Sequence, residues 1–373
     1  MTMRPGNIRD SIVSYLSTFP GDASVQEIGN AVALQVGSVS ASSIRSYLNL
    51  NVPEVFERTA RGRYRLQREA PMDTAYTAFP PVLVQGGATL YHADCFEWLA
   101  AQLPCSVHAV VTDPPYGLIE YTEKEQTKLH NGRGGVWRIP PSFDGHKRAP
   151  LPRFTVLDES DRLRLFEFFA RLGTLLARVL VPGGNLVVAS NPLLAHIVSS
   201  AMASTGLEVR GSIARLTMTM RGGDRPKNAH QEFEGVSVMP RSMWEPWIVL
   251  RRPLDGRVQD NLRRWKTGGF RRPSAEKPFG DVIRSAPTSR KERTIAAHPS
   301  LKPQEFLRKI VRGVLPLGEG IVLDPFAGSG STLAAANAVG YHSIGIEMDD
   351  RYVSIAKSAI DKLGSLPIKI DPV

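Results

Sequence analysis

The chain has 373 residues, 42% apolar and 22% charged, with a net charge of +10. That is long enough for one large globular domain and a small one, and it shows neither a run of membrane-spanning length nor a signal-peptide-like N-terminus. Two cysteines, Cys95 and Cys105, are too few for a disulfide framework or a four-ligand zinc site, and fit a reducing cytoplasm. The eight histidines form no metal-ligand spacing, so no catalytic metal is expected. Residues 1–70 carry +2 and residues 251–293 carry +8, leaving the remainder neutral. One concentrated basic segment on a neutral body points to a polyanion partner, with a solvated charged loop as the plainer reading.

In chain order, residues 1–67 form a self-contained module. Ile8, Ile12, Tyr15, Leu16 and Phe19 recur at helical spacing up to Pro20-Gly21. Ser24 can cap a second helix carrying Val25, Ile28, Val32 and Leu34, and Ser40 a third with Ile44, Tyr47 and Leu48 inward. Residues 56–66 read as a hairpin with Gly62 near its turn. Three short helices and a basic hairpin resemble a winged helix-turn-helix of the kind appended to restriction-modification proteins. The third helix with Arg45 would then enter a groove, and Arg61 and Arg63 would touch phosphates. A docking or dimerisation role is the other reading, because the module is only weakly basic.

Residues 68–86 lack periodicity and read as a linker; 87–373 form the main domain. A short strand, Thr89 to Ala93, ends at Asp94, ahead of a helix start. The apolar run Val107–Thr112 reads as a buried parallel strand and ends at Asp113-Pro114-Pro115-Tyr116. Two prolines forbid continuation of ladder or helix, leaving a rigid elbow at the strand's C-terminal end, where open α/β sheets bind ligands. One carboxylate, carbonyls without competing N–H groups and one aromatic ring suit an amine on a flat heterocycle.

Residues 120–157 mix glycines, prolines and basic residues without a period, as a functional loop does. Trp137, Phe143 and Phe154 interleaved with Arg133, Arg138, Arg148 and Arg153 suit unstacked bases and phosphates. An amphipathic helix from Leu163 to Leu180 stops at Pro182-Gly183-Gly184. Strands are expected at 185–190, 209–218 and 246–251, and helices over 193–205 and 303–314. The basic stretch up to residue 293 shows little regular pattern.

Ile321-Val322-Leu323-Asp324-Pro325-Phe326-Ala327-Gly328-Ser329-Gly330 is a strand followed by a tight glycine turn, and a helix opens at Ser331-Thr332-Leu333. Gly328 and Gly330 admit a ligand close to backbone N–H groups at a helix N-terminus. A further strand ends at Glu347, 19 residues after Gly328, the spacing at which an acid holds ribose hydroxyls. Leu333 replaces the third glycine of the dinucleotide pattern, which favours a smaller adenosine-bearing cofactor.

The elbow and the glycine turn together resemble the S-adenosylmethionine-dependent amino-methyltransferases of DNA. Their order, elbow before a variable segment and glycine turn last, resembles the β group of that family. Leu90-Tyr91-His92-Ala93-Asp94, Val179-Leu180-Val181-Pro182-Gly183-Gly184 and His298-Pro299-Ser300-Leu301-Lys302-Pro303 resemble further family phrases. The resemblance spans about residues 88–365 and implies a Rossmann-like, seven-stranded α/β methyltransferase sheet beside the winged-helix domain. It also implies S-adenosyl-L-methionine held by Asp94, Asp113, Ser300, Lys302, Asp324, Phe326, Gly328, Gly330, Ser331, Thr332 and Glu347.

Catalysis would fall to Asp113, Pro114, Pro115 and Tyr116, the last stacking on a base flipped from duplex DNA. Aspartate at the elbow's first position resembles adenine-N6 enzymes, whereas serine is commoner in cytosine-N4 enzymes. Target recognition is expected from 254–297, through Arg263, Arg264, Lys266, Arg271 and Arg272. The partners implied are double-stranded DNA in the nucleoid, a second copy as a homodimer, and a separate restriction endonuclease. Other readings are a cytosine-N4 enzyme, an RNA or protein-amide methyltransferase, and a non-catalytic DNA-binding regulator.

Overall fold

The computed structural model describes residues 11–12, 15–16, 22–37, 39–50, 52, 56–66, 79–115, 142–143, 146–147, 159–221, 226, 229, 231–238, 240, 242–298 and 300–367. The chain divides into two units, Met1–Thr74 and Ala75–Val373. The first holds β1 (Ala23–Ser24), α1 (Val25–Val36), α2 (Ala41–Leu50), β2 (Phe56–Ala60) and β3 (Arg63–Leu66). Ser24 starts α1 through a reciprocal box: its hydroxyl accepts from Glu27 N at 3.2 Å, and the Glu27 carboxylate accepts from Ser24 N at 2.7 Å. The three strands pair antiparallel in the order β1-β3-β2, and Gly62 makes the hairpin turn at φ +75°. Ile12, Leu16, Ile28, Val32, Ile44, Leu48, Phe56 and Tyr64 form its core.

The second unit contains, in order, β4 (Leu83–Gln85), β5 (Ala88–His92), α3 (Cys95–Ala101), β6 (Val107–Thr112), β7 (Ser142–Phe143), β8 (His146–Lys147), α4 (Glu159–Val179), β9 (Leu180–Ala189) and α5 (Ala195–Ala203). Then come β10 (Glu208–Arg221), β11 (Ser242–Arg251), α6 (Val258–Trp265), β12 (Val282–Arg284), α7 (Arg290–Ile295), α8 (Gln304–Val314), β13 (Ile321–Asp324), α9 (Ser331–Ala338), β14 (His342–Glu347) and α10 (Asp350–Gly364). One mixed sheet takes nine of these strands in the order β12-β10-β11-β9-β6-β13-β14-β5-β4.

From β9 to β5 the strands are parallel, while β11 runs antiparallel between β9 and β10. The seven strands expected are thus joined by two short edge strands. β4 falls within the stretch read as a linker, and β12 within the one read for target recognition. Three residues are too few to show an alternation, so neither had a sequence signal.

Alternate residues of the central strands face opposite layers, as the two-residue period requires. Leu186, Val188, Ile248 and Leu250 pack on α4 and α5 through Phe169, Leu176 and Met202. Val187, Ala189, Trp247 and Val249 pack on α8 through Phe306, Ile310 and Val311. Helices therefore cover both faces, which is why β6 and β9 read as unbroken apolar runs. Pro182-Gly183-Gly184 lies inside β9 rather than before it, and absorbs the register jump between Val107↔Leu180 and Ala109↔Asn185.

Candidate active site

β6, β13, β14 and β5 end on one edge of the sheet, and each ends at or just before a carboxylate: Asp113, Asp324, Glu347 and Asp94. Asp324 is the innermost. It accepts hydrogen bonds from Thr112 Oγ1 at 2.7 Å and Phe326 N at 3.1 Å, tying the elbow strand to the glycine turn. Burial raises its pKa to about 6 against the pull of the Thr332 and Thr112 hydroxyls. Asp324 and Thr332 both face the interior, so they build the turn from within.

The turn itself needs glycine. Gly328 and Gly330 have φ of +52° and +78°, and a Cβ on Gly330 would lie 2.5 Å from Ile360 Cγ1. Glu347 Oε2 accepts from Gly328 N at 2.7 Å, while Oε1 accepts from Met348 N and Asp349 N at 2.9 and 2.8 Å. Its carboxylate therefore staples the turn to the end of β14. Asp94 has a comparable local task, its Oδ1 capping α3 through Phe96 N at 2.7 Å and Glu97 N at 3.1 Å. Phe326 sets its ring 6.1 Å from Phe168. Ser331 is buried, and its carbonyl accepts from Gln304 Nε2 at 2.8 Å.

Asp113, 17% exposed, receives the Lys302 ammonium at 2.7 Å. The same ammonium lies 2.9 Å from Glu245 Oε1, and Arg215 binds Glu245 Oε2 at 2.7 Å. Burial opposes the Lys302 charge, but Asp113 and Glu245 together hold its pKa above the usual lysine value. Burial also opposes the Glu245 charge, and there Lys302 and Arg215 prevail, holding it below the usual carboxylate value. Next to this group His298 approaches the glycine turn, its Nε2 lying 3.1 Å from the position of a Cβ on Gly328. Its ring packs edge-on to Tyr352 with centroids 4.3 Å apart. Ser300 N donates to His298 Nδ1 at 3.2 Å, which leaves the proton of the neutral ring on Nε2. Burial first of all lowers the His298 pKa, so that neutral form dominates at pH 7.

Glu245 and Arg215 have no site role in the sequence reading, and His298 has only a place in a family phrase. Glu245 does share the signal of the others, a carboxylate where an apolar strand meets this edge. In β11, however, the edge is at the start of the strand, and an antiparallel direction cannot be read from one strand's composition.

The expected DNA-contacting arginines divide. Arg263, Arg264 and Lys266 belong to α6 and its C-cap, which is pinned by Asn261 and Thr267 to Pro182 O. Arg271 bonds Tyr341 Oη at 2.7 Å, and Arg272 O accepts from Arg312 at 3.0 Å. Pro182 opens β9, Tyr341 precedes β14 and Arg312 ends α8. These five basic residues therefore sit at the N-terminal edge of the parallel strands, opposite Asp113, and are not brought to the site. Only after β12, which pairs with β10 from Ala214 to Leu216, does the segment return to the catalytic edge.

In the N-terminal unit Arg45 and Arg61 are exposed. Arg63 is tied to Asp22 through Nε at 3.0 Å and to the Asp22 carbonyl at 2.9 Å. Pro114 and Pro115 occupy the elbow as expected; Tyr116, Arg133, Arg138 and almost all of the 120–157 insertion lie outside the described residues.

The family model for N6 and N4 methylases, described as DNA methylase, matches residues 107–358, from β6 into α10. The chain belongs to the N6/N4 DNA methylase family. Among relatives of this methylase, the type II methyltransferase M2.DpnII of Streptococcus pneumoniae is 22% identical over 73% of this chain and 89% of its own length. M.HindIII of Haemophilus influenzae is 24% identical over 74% and 94%, and M2.LlaDCHI of Lactococcus lactis is 24% identical over 76% and 92%. A solved DNA modification methylase of Thermus thermophilus, in complex with S-adenosyl-L-methionine, is 22% identical over 74% of this chain and 95% of that one, with a TM-score of 0.46.

Proposed function

We propose that this DNA methyltransferase transfers the methyl group of S-adenosyl-L-methionine to the exocyclic N6 amine of an adenine flipped out of duplex DNA. The observation that carries the reading is Asp113: a carboxylate at the head of a proline elbow, beside the glycine turn, held by Lys302. The glycine turn suits the cofactor because two left-handed glycines leave the backbone uncovered where α9 begins. Gly328, Gly330, Ser331 and Phe326 would line it. Glu347 already accepts from the N–H groups of Gly328, Met348 and Asp349, and its remaining acceptor capacity would go to a ribose hydroxyl. Asp94, Ser300 and Lys302 would stand at the cofactor's ends, with Asp324 and Thr332 supporting the turn from below.

The cofactor supplies an electrophilic sulfonium methyl; the protein's part is to make a poor nucleophile react. An aromatic amine has its lone pair conjugated into the ring. Asp113 and the Pro114 carbonyl would accept its two N–H bonds, drawing the nitrogen towards tetrahedral geometry. Position and electrostatics then act without a covalent enzyme intermediate. Tyr116 would stack on the extruded base.

The relatives are named type II methyltransferases, and their coverage of this chain supports a site-specific modifier of that kind. The β1-β3-β2 sheet and the exposed Arg45 and Arg61 support a winged helix that adds duplex contacts. The test is incubation of the purified protein with labelled cofactor and unmethylated DNA, followed by nucleoside analysis. Label in N6-methyldeoxyadenosine is expected; label in N4-methylcytosine would overturn the base assignment, and label in RNA or protein alone the substrate.

A further inference from the structure

Asp113, Lys302, Glu245 and Arg215 form an alternating chain of charge that runs inward from the elbow. Four separate pieces of the chain supply them: the end of β6, the segment before α8, the start of β11, and β10. Arg215 is fixed on its other side as well, since its Nε donates to Ser285 Oγ at 3.1 Å. Side-chain exposures of 6% to 17% keep water from screening these groups, so an unbalanced charge here acts over several ångströms.

Two carboxylates and two cations balance. Lys302 is needed to hold Asp113 in one orientation, but its ammonium taken alone would repel a second cation arriving beside Asp113. Glu245 offsets that ammonium, and Arg215 prevents Glu245 from swinging away. The methyl donor of this reaction class arrives as a sulfonium cation and leaves as a neutral thioether, so the balance matters for one and not for the other.

We infer that Glu245, anchored by Arg215, is a positioning residue that neutralises Lys302 and so lets the site accept a sulfonium donor beside Asp113. The inference rests on S-adenosyl-L-methionine as the donor and concerns how this chain selects its charge.

Isothermal titration of S-adenosyl-L-methionine and S-adenosylhomocysteine tests it in the full-length protein without DNA, because the two ligands differ at the sulfur by one charge and one methyl. Glu245→Gln should weaken the sulfonium about tenfold while leaving the thioether within about twofold. Lys302→Met, which leaves one net negative charge, should move the ratio of the two affinities the other way. The double variant, neutral again, should return the ratio towards wild type even if Glu245→Gln alone folds poorly. Equal loss of both ligands in Glu245→Gln, or an unchanged ratio in Lys302→Met, overturns the inference while leaving the donor assignment standing. A wild-type protein that binds neither ligand overturns the donor assignment and this inference with it.

Discussion

Asp113 has two tasks that substitution separates. It orients the substrate amine, and it holds one end of Lys302 at 2.7 Å. Asp113→Ala should abolish methyl transfer, a fall of at least about a thousandfold in kcat, while cofactor affinity changes far less; turnover and titration on one preparation check both. Asp324 makes a different prediction. Its folded-state pKa of about 6 lies above the ordinary 3.8, so the folded protein binds this proton more tightly than the unfolded chain. Its contribution to stability is complete below about pH 4 and is lost as pH rises through about 6, on the order of 3 kcal/mol by neutral pH. Asp324→Asn should flatten that limb of the unfolding midpoint against pH, and parallel profiles would refute the assignment. At Gly330 both the left-handed φ of +78° and the Ile360 contact oppose a side chain. Gly330→Ala should therefore destabilise by roughly 2–3 kcal/mol in thermal unfolding.

Elements that were legible in the sequence are those whose burial leaves a pattern. β6 and β13 are unbroken apolar runs because helices cover both faces, and their terminal carboxylates marked the ligand edge correctly. α6, α7 and the edge strands were illegible because each is short, and α6 is held by Asn261 and Thr267 binding Pro182 rather than by an apolar stripe. The basic density of 251–293 was real, but charge count carries no information about which edge of a sheet a segment crosses. The strand registers supply it and put α6 and Arg271 opposite the elbow. Arg263→Ala and Arg264→Ala together should then leave the modified sequence motif unchanged, with stability altered by less than about 1 kcal/mol, as for exposed ion pairs. Arg271→Ala should cost about 1 kcal/mol through its lost bond to Tyr341. Sequencing of modified DNA from each variant checks the motif, and an altered motif would return these residues to target reading.

At the scale of the molecule, the two units have separate cores, one built on Ile28, Ile44 and Phe56 and the other on the nine-stranded sheet. Removal of residues 1–74 should leave the larger unit folded and able to bind cofactor, with weaker duplex binding that shows in a titration against salt. The central claim concerns the pairing of elbow and glycine turn in one adenine-modifying site. Its most direct test is expression of wild type and Asp113→Ala in a host lacking adenine methylation, followed by reading of modified bases across the host genome. The account predicts N6-methyladenine at one short motif with wild type and none with Asp113→Ala. Soluble wild-type protein that binds S-adenosyl-L-methionine yet leaves adenine unmodified, or modification that persists in Asp113→Ala, would contradict it.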